Sequence, residues 1–137
     1  MSAIVLDASV AISLVVEERG TAAAIATVAG HDVLVPDLFW PEVSHALVRK
    51  AGSGAIARAD AAEAYALLRR LVDRTVGSEP LGPGAMTLAL DLGHPAYDCV
   101  YLAAAIAHGA PLLTADRALH AAATAAGHGD AVLLIHA

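Results

Sequence analysis

Ala3-Ile4-Val5-Leu6-Asp7 is an apolar run that ends on a carboxylate, and the arrangement returns late in the chain, where Leu112-Leu113-Thr114 leads through Ala115 to Asp116. Both acids therefore stand at strand exits. In an open parallel α/β sheet, ligands bind outside the carboxyl ends of the strands, where loops and helix starts converge. Working outward, apolar periodicity alternates strand with helix, the pattern of a parallel sheet covered by helices on its faces. Strands are predicted at Ala3–Leu6, Val33–Val35, within Thr75–Leu81, at Pro111–Thr114 and at Ala131–Ile135. Helices are predicted at Ser9–Val16, ending near Glu17 and Glu18, and at Thr21–Ala29, closed by Gly30. Pro36-Asp37 opens a third helix reaching about Lys50, with Asp37 as N-cap and Pro41 tolerated in the first turn. Gly52-Ser53-Gly54 turns the chain into a helix over Ala59–Arg74, so the two form an antiparallel arm. Helices at Gly84–Leu92, Ala96–Ala107 and Arg117–Ala126 complete the pattern.

With 137 residues, the chain is expected to form a single domain over 1–137. Much of its 58% hydrophobic fraction is Ala, which suits close packing of helix on sheet. The longest uncharged stretch, Cys99 to Ala115, is broken by His108, Gly109 and Pro111, whereas a membrane span needs roughly 20 mainly apolar residues. The first apolar run lacks a preceding basic region and soon meets Asp7, unlike a signal peptide, so the expected location is the cytoplasm. Cys99 is the sole cysteine, which excludes an internal disulfide and a Cys-based zinc site. Site chemistry must use oxygen or histidine.

Two further acids belong with Asp7 and Asp116. Asp98 lies in the first turn of the Ala96–Ala107 helix, and Glu42 sits behind Pro41 among Leu38, Phe39, Trp40 and Val43. Asp7 and Asp116 have an ordinary explanation as helix caps, and Asp98 as a complement to a helix N-terminus. Glu42 fits such explanations less well. Gathered on one rim, the carboxylates would repel one another by roughly 3 kcal/mol per pair at about 5 Å and an effective dielectric near 20. A divalent cation relieves that repulsion, and Mg²⁺ or Mn²⁺ suits oxygen ligands that leave positions open for a phosphate. Metal-assisted phosphodiester hydrolysis follows. Ser9 is placed to orient Asp7 or a water, or else to cap the following helix, and Thr114 could donate near Asp116, although a β-branched residue at a strand end needs no such duty. Among seven histidines no pair shows zinc-ligand spacing, and His45, one turn beyond Glu42, is the candidate to face the same pocket.

The net charge of −6 at first opposes a nucleic-acid partner, but Asp7, Glu42, Asp98 and Asp116 account for most of that surplus. The basic residues are mainly arginines, including Arg49, Arg58, Arg69, Arg70 and Arg117, suited to bidentate phosphate contact.

These residues resemble a known family. Ile4-Val5-Leu6-Asp7-Ala8-Ser9, Pro41-Glu42-Val43, Ala96-Tyr97-Asp98-Cys99-Val100-Tyr101-Leu102-Ala103 and Leu113-Thr114-Ala115-Asp116-Arg117-Ala118-Leu119 occur in the order found in PIN-domain ribonucleases, most closely the VapC toxins of toxin–antitoxin pairs. The resemblance implies a three-layer α/β/α fold around a mainly parallel five-stranded sheet. It implies a pocket of Asp7, Glu42, Asp98 and Asp116 for Mg²⁺ or Mn²⁺, and cleavage of RNA, commonly tRNA or ribosomal RNA. It also implies a homodimer and a small VapB-like antitoxin gripped by the arm between Leu38 and Arg74. Many relatives carry Asn where this chain has His45 and Ala where it has Cys99.

The expected activity is a metal-dependent endoribonuclease with Asp7, Glu42, Asp98 and Asp116 as ligands and Ser9 in support. A phosphoryl-transfer α/β domain is the rival enzyme, but receiver-like domains want paired acids after the first strand and a Lys at a later strand end. Here Ala8 follows Asp7, Ser9 stands where a dehalogenase-like phosphatase needs Asp, and Lys50 is helical. A non-catalytic binding module that keeps the same fold is the other rival.

Overall fold

The computed structural model describes residues 2–16 and 21–135. Among these residues five parallel strands, β1 (Ala3–Leu6), β2 (Asp32–Pro36), β3 (Arg74–Val76), β4 (Leu112–Thr114) and β5 (Val132–Leu134), form one sheet in the order β3-β2-β1-β4-β5. β1 is central, and Ile4, Val5 and Leu6 are buried, as an unbroken aliphatic run covered on both faces requires. Among the described residues seven α-helices accompany the strands: α1 (Ala8–Val15), α2 (Thr21–Val28), α3 (Phe39–Gly52), α4 (Arg58–Leu71), α5 (Gly82–Leu92), α6 (Ala96–His108) and α7 (Arg117–Ala125).

From β1 the chain adds β2 and β3 on one side, then crosses back to add β4 and β5 on the other. Right-handed crossovers running in opposite directions put their helices on opposite faces, which gives the three layers. The helices α1 to α4 pack together, while α5 lies against α6 and α6 spans β1, β2 and β4. Ala103, Ala104 and Ala105 on α6 are buried, because side chains this small let the helix approach its neighbours closely, with Ala103 beside Gly84 of α5. The direction in which strands are added to the sheet reverses between β1 and β4, which run parallel, so the crevice for a ligand opens beyond their carboxyl ends.

Several boundaries differ from the sequence expectation. The helix expected over Ala59–Arg74 stops at Leu71 because Arg74, Thr75 and Val76 pair with β2. The strand expected within Thr75–Leu81 stops at Val76, since Glu79–Leu81 forms a 3₁₀ turn containing Pro80. Asp37 does not cap α3. Its amide extends the β2–β3 ladder to the Val76 carbonyl (2.8 Å), which turns its carboxylate toward the Ser78 amide (3.1 Å) instead. Glu17 and Glu18, the expected end of the first helix, lie outside the described residues.

Candidate metal centre

Asp7 is the first residue past β1, and its amide still donates to the Leu113 carbonyl at 3.1 Å. It holds the N-cap position of α1 without making a side-chain capping bond. The carboxylate instead accepts the Thr114 hydroxyl on Oδ2 at 2.7 Å and the Ser9 hydroxyl at 3.3 Å. Thr114 is fully buried at the end of β4, and its oxygen also accepts the Asp116 amide at 3.1 Å. One hydroxyl thus ties the exits of two adjacent strands together. Asp116 does cap: Oδ1 accepts the Leu119 amide at 3.0 Å and starts α7, leaving Oδ2 for the crevice.

Asp98 and Tyr101 are three residues apart on α6 and so share a helix face. The Tyr101 ring is buried, and its hydroxyl donates to Glu42 Oε1 at 2.6 Å, fixing a carboxylate carried by the first turn of α3. Burial and the neighbouring Glu42 push the Tyr101 phenol far up, so it stays a donor. Burial and then Asp98 likewise raise the Cys99 thiol, which stays protonated beneath the site.

The residue that meets two of the acids was not expected from the sequence. His94 Nε2 lies 3.0 Å from Asp98 Oδ2 and 3.5 Å from Asp116 Oδ2, with only 12% of its side chain exposed. Gly93 makes this possible by ending α5 at a φ of +63°, a left-handed conformation that glycine adopts without strain. Pro95 then starts α6, so His94 and Asp98 are not on one continuous helix. The faint signal in the sequence was Gly93-His94-Pro95 placed four residues before Asp98. His45 is exposed on α3, and among the described residues no hydrogen bond joins it to the acids.

The electrostatics link the remaining pairs. Burial raises the pKa of Asp7, the Thr114 hydroxyl opposes the rise, and the Asp98 charge adds to it. Glu42 is also raised, by burial and then by Asp7 and Asp98, with Tyr101 opposing. Among the described residues no Lys or Arg forms an ion pair with any of the four acids. Half-buried carboxylates that raise one another's proton affinity, beside hydroxyl donors and, among the described residues, without a Lys or Arg partner, match what a hard divalent cation takes.

Folding raises both acids, so the folded chain favours their protonated forms. The stability they contribute is present below the ordinary values of 3.8 and 4.5 and is lost as pH rises through the elevated folded values. In metal-free protein, Asp7→Asn is therefore expected to melt above the parent chain at about pH 7, by a margin that shrinks toward about pH 4. Thermal melts in the two buffers check this, and a margin independent of pH would contradict it.

Two apolar grooves lie away from the acids. One of about 450 Å³ is lined by Leu14, Val15, Ile25, Val28, Leu67 and Leu71, between α1, α2 and α4. Another, of about 660 Å³, lies between α5 and α6.

A family model described as PIN domain matches residues 4–125. Among solved structures, the crystal structure of PAE2754 from Pyrobaculum aerophilum is similar with a TM-score of 0.70 and 24% identity, over 88% of this chain and 84% of that one. At that identity the likeness speaks for the fold. No curated protein matches the chain.

Proposed function

The chain belongs to the PIN domain family, a family of nucleases, and from that membership we propose that it is a Mg²⁺- or Mn²⁺-dependent endoribonuclease with Asp7, Glu42, Asp98 and Asp116 at its centre. One observation carries the reading: Asp7, Glu42 and Asp98 act on one another at the topological switch point, Asp116 joins them through Thr114 and His94, and among the described residues no Lys or Arg pairs with any of the four. A divalent cation bound there supplies the Lewis acidity that makes water nucleophilic and offsets charge on the phosphodiester during displacement. The protein's own groups do the positioning. Thr114 and Ser9 hold Asp7, Tyr101 holds Glu42, and the Leu119 amide holds Asp116. Arg117, exposed on the residue after Asp116, is placed to grip a flanking phosphate.

The resemblance to VapC toxins extends the proposal to a toxin paired with a VapB-like antitoxin, acting on RNA of the tRNA or ribosomal RNA class. The apolar groove between α1, α2 and α4 supports this, since Leu67 and Leu71 of the arm line it together with exposed Ile25. Met86, Leu90 and Tyr97, all well exposed along α5 and the start of α6, support a homodimer. The cytoplasm is the proposed compartment, and no described helix is long and apolar enough to cross a membrane.

The test is cleavage of mixed RNA by the purified chain in a titration of Mg²⁺ and of Mn²⁺, with chelator as control. Cleavage should appear with the cation and disappear on chelation. A folded chain that cuts nothing at any metal concentration would instead support a binding module.

A further inference from the structure

We propose that His94 is a fifth ligand of the metal centre, a nitrogen donor that shifts the preference of the site from Mg²⁺ toward Mn²⁺. The inference rests on the reading of the acids as a metal centre. Its starting point is geometric: His94 Nε2, a carboxylate oxygen of Asp98 and one of Asp116 all lie within 4.8 Å of one another. Adjacent ligand atoms of an octahedral ion with bonds of about 2.1 Å lie roughly 3.0 Å apart. The nitrogen is 3.0 Å from Asp98 Oδ2 and 3.5 Å from Asp116 Oδ2, so these separations already suit neighbouring positions of one coordination sphere.

The side chain is held in place for this role. Only 12% of it is exposed, and the left-handed turn at Gly93 and the restart at Pro95 fix the backbone on either side. A surface histidine that merely offsets negative charge needs neither constraint. Oxygen-only sites suit Mg²⁺, whereas imidazole is a ligand that transition ions accept more readily, so one nitrogen among carboxylates tilts the competition toward Mn²⁺. His94 Nε2 donates to Asp98 when no ion is bound. Coordination turns the nitrogen lone pair toward the ion and places the ring proton on Nδ1.

The experiment is pulsed electron paramagnetic resonance of Mn²⁺ bound to the full chain, read for coupling to a directly bound ¹⁴N, alongside calorimetric Mn²⁺ and Mg²⁺ titrations of the parent chain and His94→Gln. The expected result is a ¹⁴N coupling in the parent that is lost in His94→Gln. Mn²⁺ affinity should fall about tenfold or more while Mg²⁺ affinity changes much less. Bound Mn²⁺ without nitrogen coupling would overturn the role of His94 and leave the carboxylate centre standing. Failure of the parent chain to bind Mn²⁺ at all would overturn both. If His94→Gln does not fold, replacing histidine nitrogen with ¹⁵N in the parent chain must change the coupling pattern, and an unchanged pattern counts against the proposal.

Discussion

Asp98→Asn is expected to reduce metal-dependent RNA cleavage by at least about a hundredfold while leaving the fold intact. Asp98 acts widely within the cluster: its charge raises Asp7, Glu42 and Cys99, and its carboxylate binds His94. Asparagine keeps the shape and one oxygen acceptor for the His94 nitrogen, and 38% of the Asp98 side chain is exposed, so the exchange opens no cavity. What it removes is a negative ligand. The same removal relieves repulsion on Asp7 and Glu42, so the metal-free variant should melt at or above the parent temperature near pH 7. Cleavage assays with excess Mn²⁺ and melts with and without metal read both effects. A variant that cuts RNA at close to the parent rate would remove Asp98 from the site.

The second large effect is on stability. Phe39→Ala should cost about 3–5 kcal/mol, a large share of the roughly 5–15 kcal/mol that holds a domain together. Phe39 is fully buried at the start of α3, with its ring edge against Trp40 at 5.0 Å and an interplanar angle of 88°. Truncation leaves a void where α3 enters the core, three residues before Glu42. The melting temperature should drop by roughly 10 °C or more, read by calorimetry. Val48→Ala, on the same helix but exposed, is the control and should stay within about 0.5 kcal/mol of the parent. Equal losses for the two variants would show that the α3 anchor is misplaced.

The sequence carried the element pattern well because its signals are local. Aliphatic runs of strand length, helices stopped at Gly30, Gly93 and Gly109, and carboxylates directly behind β1 and β4 depend on neighbours along the chain. Errors arose where distant residues competed. Arg74 reads as the end of a helix until β2 offers its backbone a partner, and Asp37 reads as a cap until the Ser78 amide draws its carboxylate away. His45 looked closer to the site than His94 because helical spacing was the only distance available from sequence. The left-handed Gly93 breaks that spacing and carries His94 to Asp98 and Asp116.

By itself, then, the sequence determined that strands and helices alternate and that acids stand at two strand exits. It also determined that no disulfide is available within the chain. Tertiary structure decided the order β3-β2-β1-β4-β5, which sets β1 beside β4 and so allows the Thr114 hydroxyl to join Asp7 to Asp116. It also decided which hydroxyl and which imidazole the acids meet. The physical reason is that local propensity is set within a few residues, whereas an electrostatic cluster depends on distances in space that only the crossovers of the sheet establish.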